Sequence, residues 1–255
     1  MSTRTLIAIA ALIAVAAIAG CRKAPVVAST VDPTQTSLQA VAVYSIDVAE
    51  PSGLAFFPAD STLYTVSDQP DGMIYKLSLT GAVLQTLSVH GNDMEGITFT
   101  PSYDTICFVE EGLRNIVWST LNGKRIDTLH IDVPGAGKNG LEGITINTRT
   151  RDIFAAHQET PALLVQISPA RKEIKRTEIL FAPTLSDICY DKTEDVLWLL
   201  SAKAAVLYKV TLNGVLIKSW SIPVTKAEGI TLGVNNTMYM VCDAESKLYV
   251  FNKPQ

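Results

Sequence analysis

Histidine and cysteine are scarce in this chain, three and four in 255 residues. No group of them has the spacing of a zinc or redox motif, which excludes a Cys/His metal centre as the source of function. Basic residues are also few, with 21 Lys and Arg against 25 Asp and Glu and a net charge of −4. The body of the chain holds no basic block, so nucleic acid is excluded as a partner. Signatures of chemistry are missing as well. The "GAGK" at residues 135–138 lacks the spacing of a phosphate loop and the Ser or Thr that follows one, and reads as a turn. No Ser-His-Asp spacing, oxyanion loop or nucleophile motif is present.

What is there begins with a leader. Arg4 precedes the apolar run "LIAIAALIAVAAIAG", which ends in small residues before Cys21. That is the build of a secretory signal, and the run is too short for a comfortable membrane span. Ile18-Ala19-Gly20-Cys21 is similar to a bacterial lipobox; the resemblance implies cleavage after residue 20 and a lipid on Cys21. The alternative is an ordinary signal cut near the same place. A membrane anchor at the cell envelope, facing outside the cytoplasm, is therefore expected. Arg22 follows the cysteine instead of Asp, which leans toward the outer membrane where the host has one. Residues 21–39, with two prolines and little apolar periodicity, read as a tether. Losing residues 1–20 removes Arg4 and no acid, so the mature chain is one unit more negative.

The remainder, 40–255, is long enough to bury one large core. Five copies of one pattern run through it: "PSGLAFFP", "MEGITFTP", "LEGITINT", "LSDICYDK" and "AEGITLGV". Their anchors are Ser52, Glu95, Glu142, Ser186 and Glu228, spaced 43, 47, 44 and 42 residues apart. Each copy reads as four short strands rich in β-branched and aromatic residues, separated by turn-forming breaks such as "PADS" and "DQPDG". Runs such as "VLWLL" are apolar on both faces, so the sheets should be covered on both sides. Four strands repeating at this period are one blade of a β-propeller. The fifth copy lacks its outer strand, and "AVAVYSIDV" at 40–48 supplies one from the other end of the chain. The expectation is all-β: a five-bladed propeller closed by an N-terminal strand. Trp118, Trp198 and Trp220 do not recur in register, so there is no WD signature, and a kelch double glycine is missing. Cys107, Cys189 and Cys242 sit in apolar runs and read as buried small side chains; the alternative in an exported chain is one disulfide and one free thiol.

The anchors enter the innermost strands around the channel mouth, and a glycine follows four of them (Gly53, Gly96, Gly143, Gly229); Asp187 takes that place in the fourth blade. Sixteen residues on, the second strand ends on the same face at Asp68, Glu111, Gln158 and Ala202, with Asp243 equivalent if blade five is one residue shorter. The neighbouring column is Ser67, Glu110, His157, Ser201 and Cys242. Glu95, Glu142, Asp187 and Glu228 are thus expected to point at one axial spot. Asp68, Glu110 or Glu111, and Asp243 are expected at the mouth around them. So many carboxylates stay together only by sharing protons or by holding a cation. An all-oxygen donor set favours a hard ion, with calcium ahead of zinc. The plainer alternative is that these are solvated loop acids, or caps on backbone N–H groups of neighbouring strands.

"SGLAF", "NDMEGI" with "VEEG", "NGLEGI", "TLSDICYD" with "LWLLS", and "AEGITL" with "YMVCDAE", in this order, resemble the SdiA-regulated (YjiK-like) family of bacterial envelope β-propellers, distantly like NHL-repeat proteins. The resemblance spans about residues 40–255. It implies a bound calcium ion on one face, with Glu95, Glu142 and Glu228 as ligands and Asp187 less secure. Ser201-Ala202-Lys203 and His157-Gln158 stand where the family pattern has acids, which lowers the negative charge of the mouth. Two functions follow. One is a binding or structural module whose mouth takes a small molecule, peptide or glycan. The other is a calcium-dependent lactonase or phosphoesterase, with the ion as Lewis acid and His157 as base. His90 could reach the rim; His130 should lie far away.

Overall fold

The structure, a computed structural model, describes residues 36–69, 72–135 and 137–255. The leader 1–20, Cys21 and most of the tether lie outside the described residues, as does the side chain of His90. Every regular element described is a strand. β1 is Ala40–Ser45. Blade one is β2 (Pro51–Phe57), β3 (Thr62–Ser67), β4 (Gly72–Leu77) and β5 (Val83–Gly91). Blade two is β6 (Met94–Phe99), β7 (Thr105–Glu110), β8 (Asn115–Thr120) and β9 (Arg125–His130). Blade three is β10 (Leu141–Ile146), β11 (Ile153–His157), β12 (Leu163–Ile167) and β13 (Glu173–Glu178). Blade four is β14 (Asp187–Asp191), β15 (Val196–Ser201), β16 (Val206–Thr211) and β17 (Leu216–Ser221). Blade five is β18 (Ala227–Leu232), β19 (Thr237–Cys242) and β20 (Lys247–Asn252), completed by β1.

Five four-stranded antiparallel sheets result, and the last runs β1-β20-β19-β18, so the N-terminal strand closes the ring. That leaves no blade with an unfilled edge. Leu38, at the end of the expected tether, is already part of the fold: its N–H donates to the Ser221 carbonyl at 2.9 Å, and its side chain is buried.

The inner strands are apolar on both faces because each sheet is packed against two neighbours. Every residue of β3, β10 and β15 is buried, whereas β9 and β13 are almost wholly exposed. Five apolar clusters fill the five gaps between blades; Trp198, Trp220, Met238 and Phe251 fill the one between blades four and five. Cys107, Cys189 and Cys242 are all free thiols, two buried and Cys189 half-buried.

Where the innermost strands converge on the axis, the repeated glycine has a steric cause. A Cβ on Gly96 would sit 2.6 Å from Gly143 Cα, and one on Gly229 would sit 2.6 Å from the Gly53 carbonyl carbon. No side chain fits such a gap. The same point carries a β-bulge in four blades, at Ser52/Leu54, Met94/Ile97, Leu141/Gly143 and Ala227/Gly229. Blade four, with Asp187 in the glycine column, pairs regularly there. A bulge turns one side chain out of the pleat. Here it aims the anchor residue at the mouth.

Candidate metal-binding mouth

The column alignment is realised through one repeated hydrogen bond. The N–H just past the second strand donates to the carbonyl two residues before the anchor: Asp68 to Glu50 (3.0 Å), Glu111 to Asp93 (2.9 Å), Gln158 to Gly140 (3.0 Å) and Asp243 to Lys226 (3.2 Å). In blade four the Ala202 N–H instead reaches the Ser186 hydroxyl at 3.1 Å. Asp68, Glu111, Gln158, Ala202 and Asp243 are therefore equivalent, including the shortened fifth blade.

Three acids converge. One carboxylate oxygen from each of Asp68, Asp93 and Glu95 lies within 4.8 Å of the other two. Two oxygens bound to one calcium ion at 2.3–2.6 Å are at most about 5 Å apart, so the cluster has the span of a hard-cation site. Asp93 was not among the residues expected from the sequence. It sits two before its anchor at φ 55, a left-handed conformation that swings its side chain back over the mouth. Ser52 donates its hydroxyl to Glu95 Oε2, and Lys138 pairs with Asp93 Oδ1 at 3.1 Å. Glu111 borders the cluster, with its carboxyl against both Asp93 and Glu142.

The electrostatics of this group are unbalanced. Burial, then the contact with Asp93, pushes Asp68 up to about 7. Its partner Asp93 is held low: burial works against this, but hydrogen bonds from Asp68 and Lys138 outweigh it. Burial raises Glu111 to about 6. Glu95 and Glu142 are pushed well above the usual carboxylate range, by burial first and then by neighbouring acids. Glu228 stands across the axis, raised to about 7 by burial and by Asp243, which itself pairs with Lys226 at 3.2 Å. Two buried oxygens here, Asp68 Oδ1 and Glu111 Oε1, have no hydrogen-bond partner. Orphaned acceptors among crowded acids are what a cation relieves. The residues present fit a metal ion.

Three expected site residues are placed elsewhere. Asp187 lies one step deeper, buried in the axis, where its Oδ2 accepts the Ile230 N–H at 2.8 Å and its carboxyl also faces the Ile188 and Leu54 amides. From the one blade without a bulge it caps the Ile230 amide, while its Oδ1 is a further buried oxygen with no hydrogen-bond partner. Glu110 turns into its blade: Arg125 meets both its oxygens at 2.8 and 3.2 Å, and the Asn92 N–H donates to it at 3.2 Å. His157 is fully buried, its Nδ1 2.8 Å from the Pro161 carbonyl and its Nε2 2.9 Å from that of Pro134. Neither nitrogen faces the mouth, so His157 is no base for a substrate there.

Glu110 and His157 share a cause. Their whole column faces inward and fastens loops: Ser67 donates to the Ala49 carbonyl at 2.7 Å and Cys242 to that of Thr225 at 3.0 Å. Strand alternation puts adjacent columns on opposite sides, so only one of the two can line the mouth. His130 ends the outermost strand β9, with Nδ1 3.1 Å from the carbonyl of Leu113 in the loop that follows Glu111.

The family model described as SdiA-regulated matches residues 28–254 of this chain. No curated protein matches it. Among solved structures, a chain of the nidogen/laminin complex is similar at 17% identity and a TM-score of 0.56, over 75% of this chain and 72% of that one. The PQQ-bound aldose sugar dehydrogenase of Streptomyces coelicolor is similar at 12% identity and a TM-score of 0.53, over 86% and 99%. At such identities the likeness is one of fold.

Proposed function

The chain belongs to the SdiA-regulated family, and from that premise we propose that it is a lipid-anchored binding module of the cell envelope whose mouth holds calcium. The observation that carries the reading is the convergence of Asp68, Asp93 and Glu95 within 4.8 Å, beside carboxylate oxygens with no partner. Glu142 and Glu228 stand near enough to raise the negative potential further. Calcium is favoured because every donor is an oxygen and the cluster has no histidine or thiol. The ion would neutralise the cluster and offer its remaining positions to oxygens of a small molecule, peptide or glycan. The leader and Cys21 support the anchor, with the body facing outside the cytoplasm.

Hydrolysis is the weaker reading. It requires a positioned base, and the histidine that sequence reasoning assigned to that role is locked between two carbonyls.

Calorimetric titration of calcium into chelator-stripped protein tests the proposal, with thermal melts in parallel. The expected result is saturable binding at one site and a higher melting temperature with calcium. Asp93→Asn should weaken binding at least about tenfold, one carboxylate ligand being worth more than about 1.4 kcal/mol. No heat and no shift in melting at millimolar calcium would overturn it. Turnover of lactones, aryl esters or phosphoesters, lost on Glu95→Gln, would move the assignment to the hydrolase. The anchor is tested separately: Cys21→Ser should release the protein from the membrane fraction.

A further inference from the structure

The axial channel has a second end. Beyond the glycine constriction and Asp187 it widens into a cavity of about 480 Å³, lined by the far halves of all five innermost strands. That volume lies within the range of small-molecule sites, about 300–1,000 Å³. We propose that this cavity is a separate binding site for an uncharged, flat, largely apolar molecule carrying a hydrogen-bond acceptor such as a carbonyl.

The walls argue for the shape and polarity of the ligand. Phe56, Phe99 and Tyr103 line one side. The Phe99 and Tyr103 rings are held 6.0 Å apart, and Phe57 braces Phe99 from behind at 4.9 Å. Fixed aromatic faces of this kind favour a planar apolar guest.

Hydroxyls supply the polar contacts. Thr145 Oγ1 already accepts the Tyr190 N–H at 3.0 Å, so its hydrogen is left to donate, and no acceptor for it stands among the described residues. The hydroxyl of Thr98, half-buried in the lining, has no hydrogen-bond partner among the described residues. Both are donors in search of an acceptor.

Neutrality follows from the buried charges in the lining, which are already matched; the third charged residue there, Lys192, is exposed. Asp191 takes Lys253 Nζ at 2.7 Å, Trp198 Nε1 at 3.3 Å and the Thr193 N–H at 2.9 Å. Lys253 spends its other hydrogens on Glu194 at 2.9 Å and Thr193 at 3.4 Å. A charged ligand would lose its hydration and find no free counter-charge among the buried side chains. The site is therefore chemically unlike the acidic mouth, and the two are separated by the narrowest part of the channel.

The test uses the Cys21→Ser chain, which carries no lipid, so that an apolar probe has no acyl phase to enter. The probe is 6-propionyl-2-(dimethylamino)naphthalene, a neutral planar ketone whose emission shifts to the blue in apolar surroundings. Saturable one-to-one binding with a blue shift is expected. Thr98→Phe, which fills the cavity, should weaken it at least tenfold. Thr98→Val, nearly isosteric and safe for folding, should weaken it several-fold by removing the donor. Calcium at the other end, or Glu95→Gln, should leave probe affinity unchanged, so failure here is distinguishable from failure of the calcium site. Absence of a saturable shift, or equal affinity in both Thr98 variants and the parent, would overturn the proposal. So would equally tight binding of anionic 1-anilinonaphthalene-8-sulfonate at the same place.

Discussion

The two ends of the channel each hold an aspartate shielded from solvent beside at least one further acid, and the two aspartates behave in opposite ways. At the far end Asp191 is drawn down to about 2: burial opposes this, but hydrogen bonds from Lys253 and Thr193 prevail. At the mouth Asp68, a residue of the same type, is pushed up to about 7 with only Lys138 nearby to oppose it. Burial acts on both; partners decide the sign. The paired cluster is finished, a structural tie between β14 and the C-terminal Lys253. The unpaired one is a site waiting for positive charge. A strained group of acids is informative only beside a relaxed one in the same fold.

The sharpest way to break this contrast is to dismantle the relaxed cluster. Asp191→Ala strands the Trp198 N–H and leaves the buried Lys253 ammonium with Glu194 as its one carboxylate partner. Breaking a buried pair on one side costs about 3–5 kcal/mol, and the surviving Glu194 contact places this case near the lower bound. Urea denaturation should show that loss, while calcium affinity at the mouth stays as in the parent.

The next effect is one of pH, and its sign differs between the ends. Asp68 and Glu228 near 7 and Glu111 near 6 stand above their unfolded values of about 4. The folded protein then holds these protons more tightly, so this contribution is full below about pH 4 and is lost as pH rises through about 6–7. Asp191 runs the other way: its contribution is present above about pH 4 and is lost as pH falls toward 2. Metal-free protein should therefore melt highest at mildly acidic pH, and calcium should recover stability mainly on the alkaline side. Asp68→Asn should flatten the alkaline limb alone, and Asp191→Ala the acid limb alone. A single common trend in melting curves would mean that the clusters are not independent.

Much of this was legible in the sequence. The repeat period gave five blades, the closing strand, and the equivalence of Asp68, Glu111 and Asp243, because hydrogen-bonded columns keep their spacing even across a deletion. The anchors were legible because Glu-Gly marks a bulge at a constriction. What escaped was orientation. Asp93 reaches the site through a left-handed φ, and its column, reading Glu50, Asp93, Gly140, Thr184 and Lys226, has no chemical pattern to find. Glu110 and His157 were misplaced by one step of strand alternation, which spacing alone does not fix at a strand end. Asp187 broke the glycine rule, and the loss of its bulge sent the side chain inward.

That one-residue step supplies the smallest predicted effect and the finest check on the mouth. Glu110 and Glu111 are adjacent, both acidic and both buried, yet only Glu111 touches the cluster. Glu110 is buried and answered by Arg125 at both oxygens, so Glu110→Gln should cost about 1.5–3 kcal/mol of stability. Calcium affinity should change less than about twofold, against about tenfold for Asp93→Asn. Glu111→Gln should fall between them, because Glu111 adds negative potential and an unpartnered oxygen at the border of the cluster. If calorimetry ranked Glu110 above Glu111, the loop after β7 would have to be turned by one residue, and Arg125 would then face the ion.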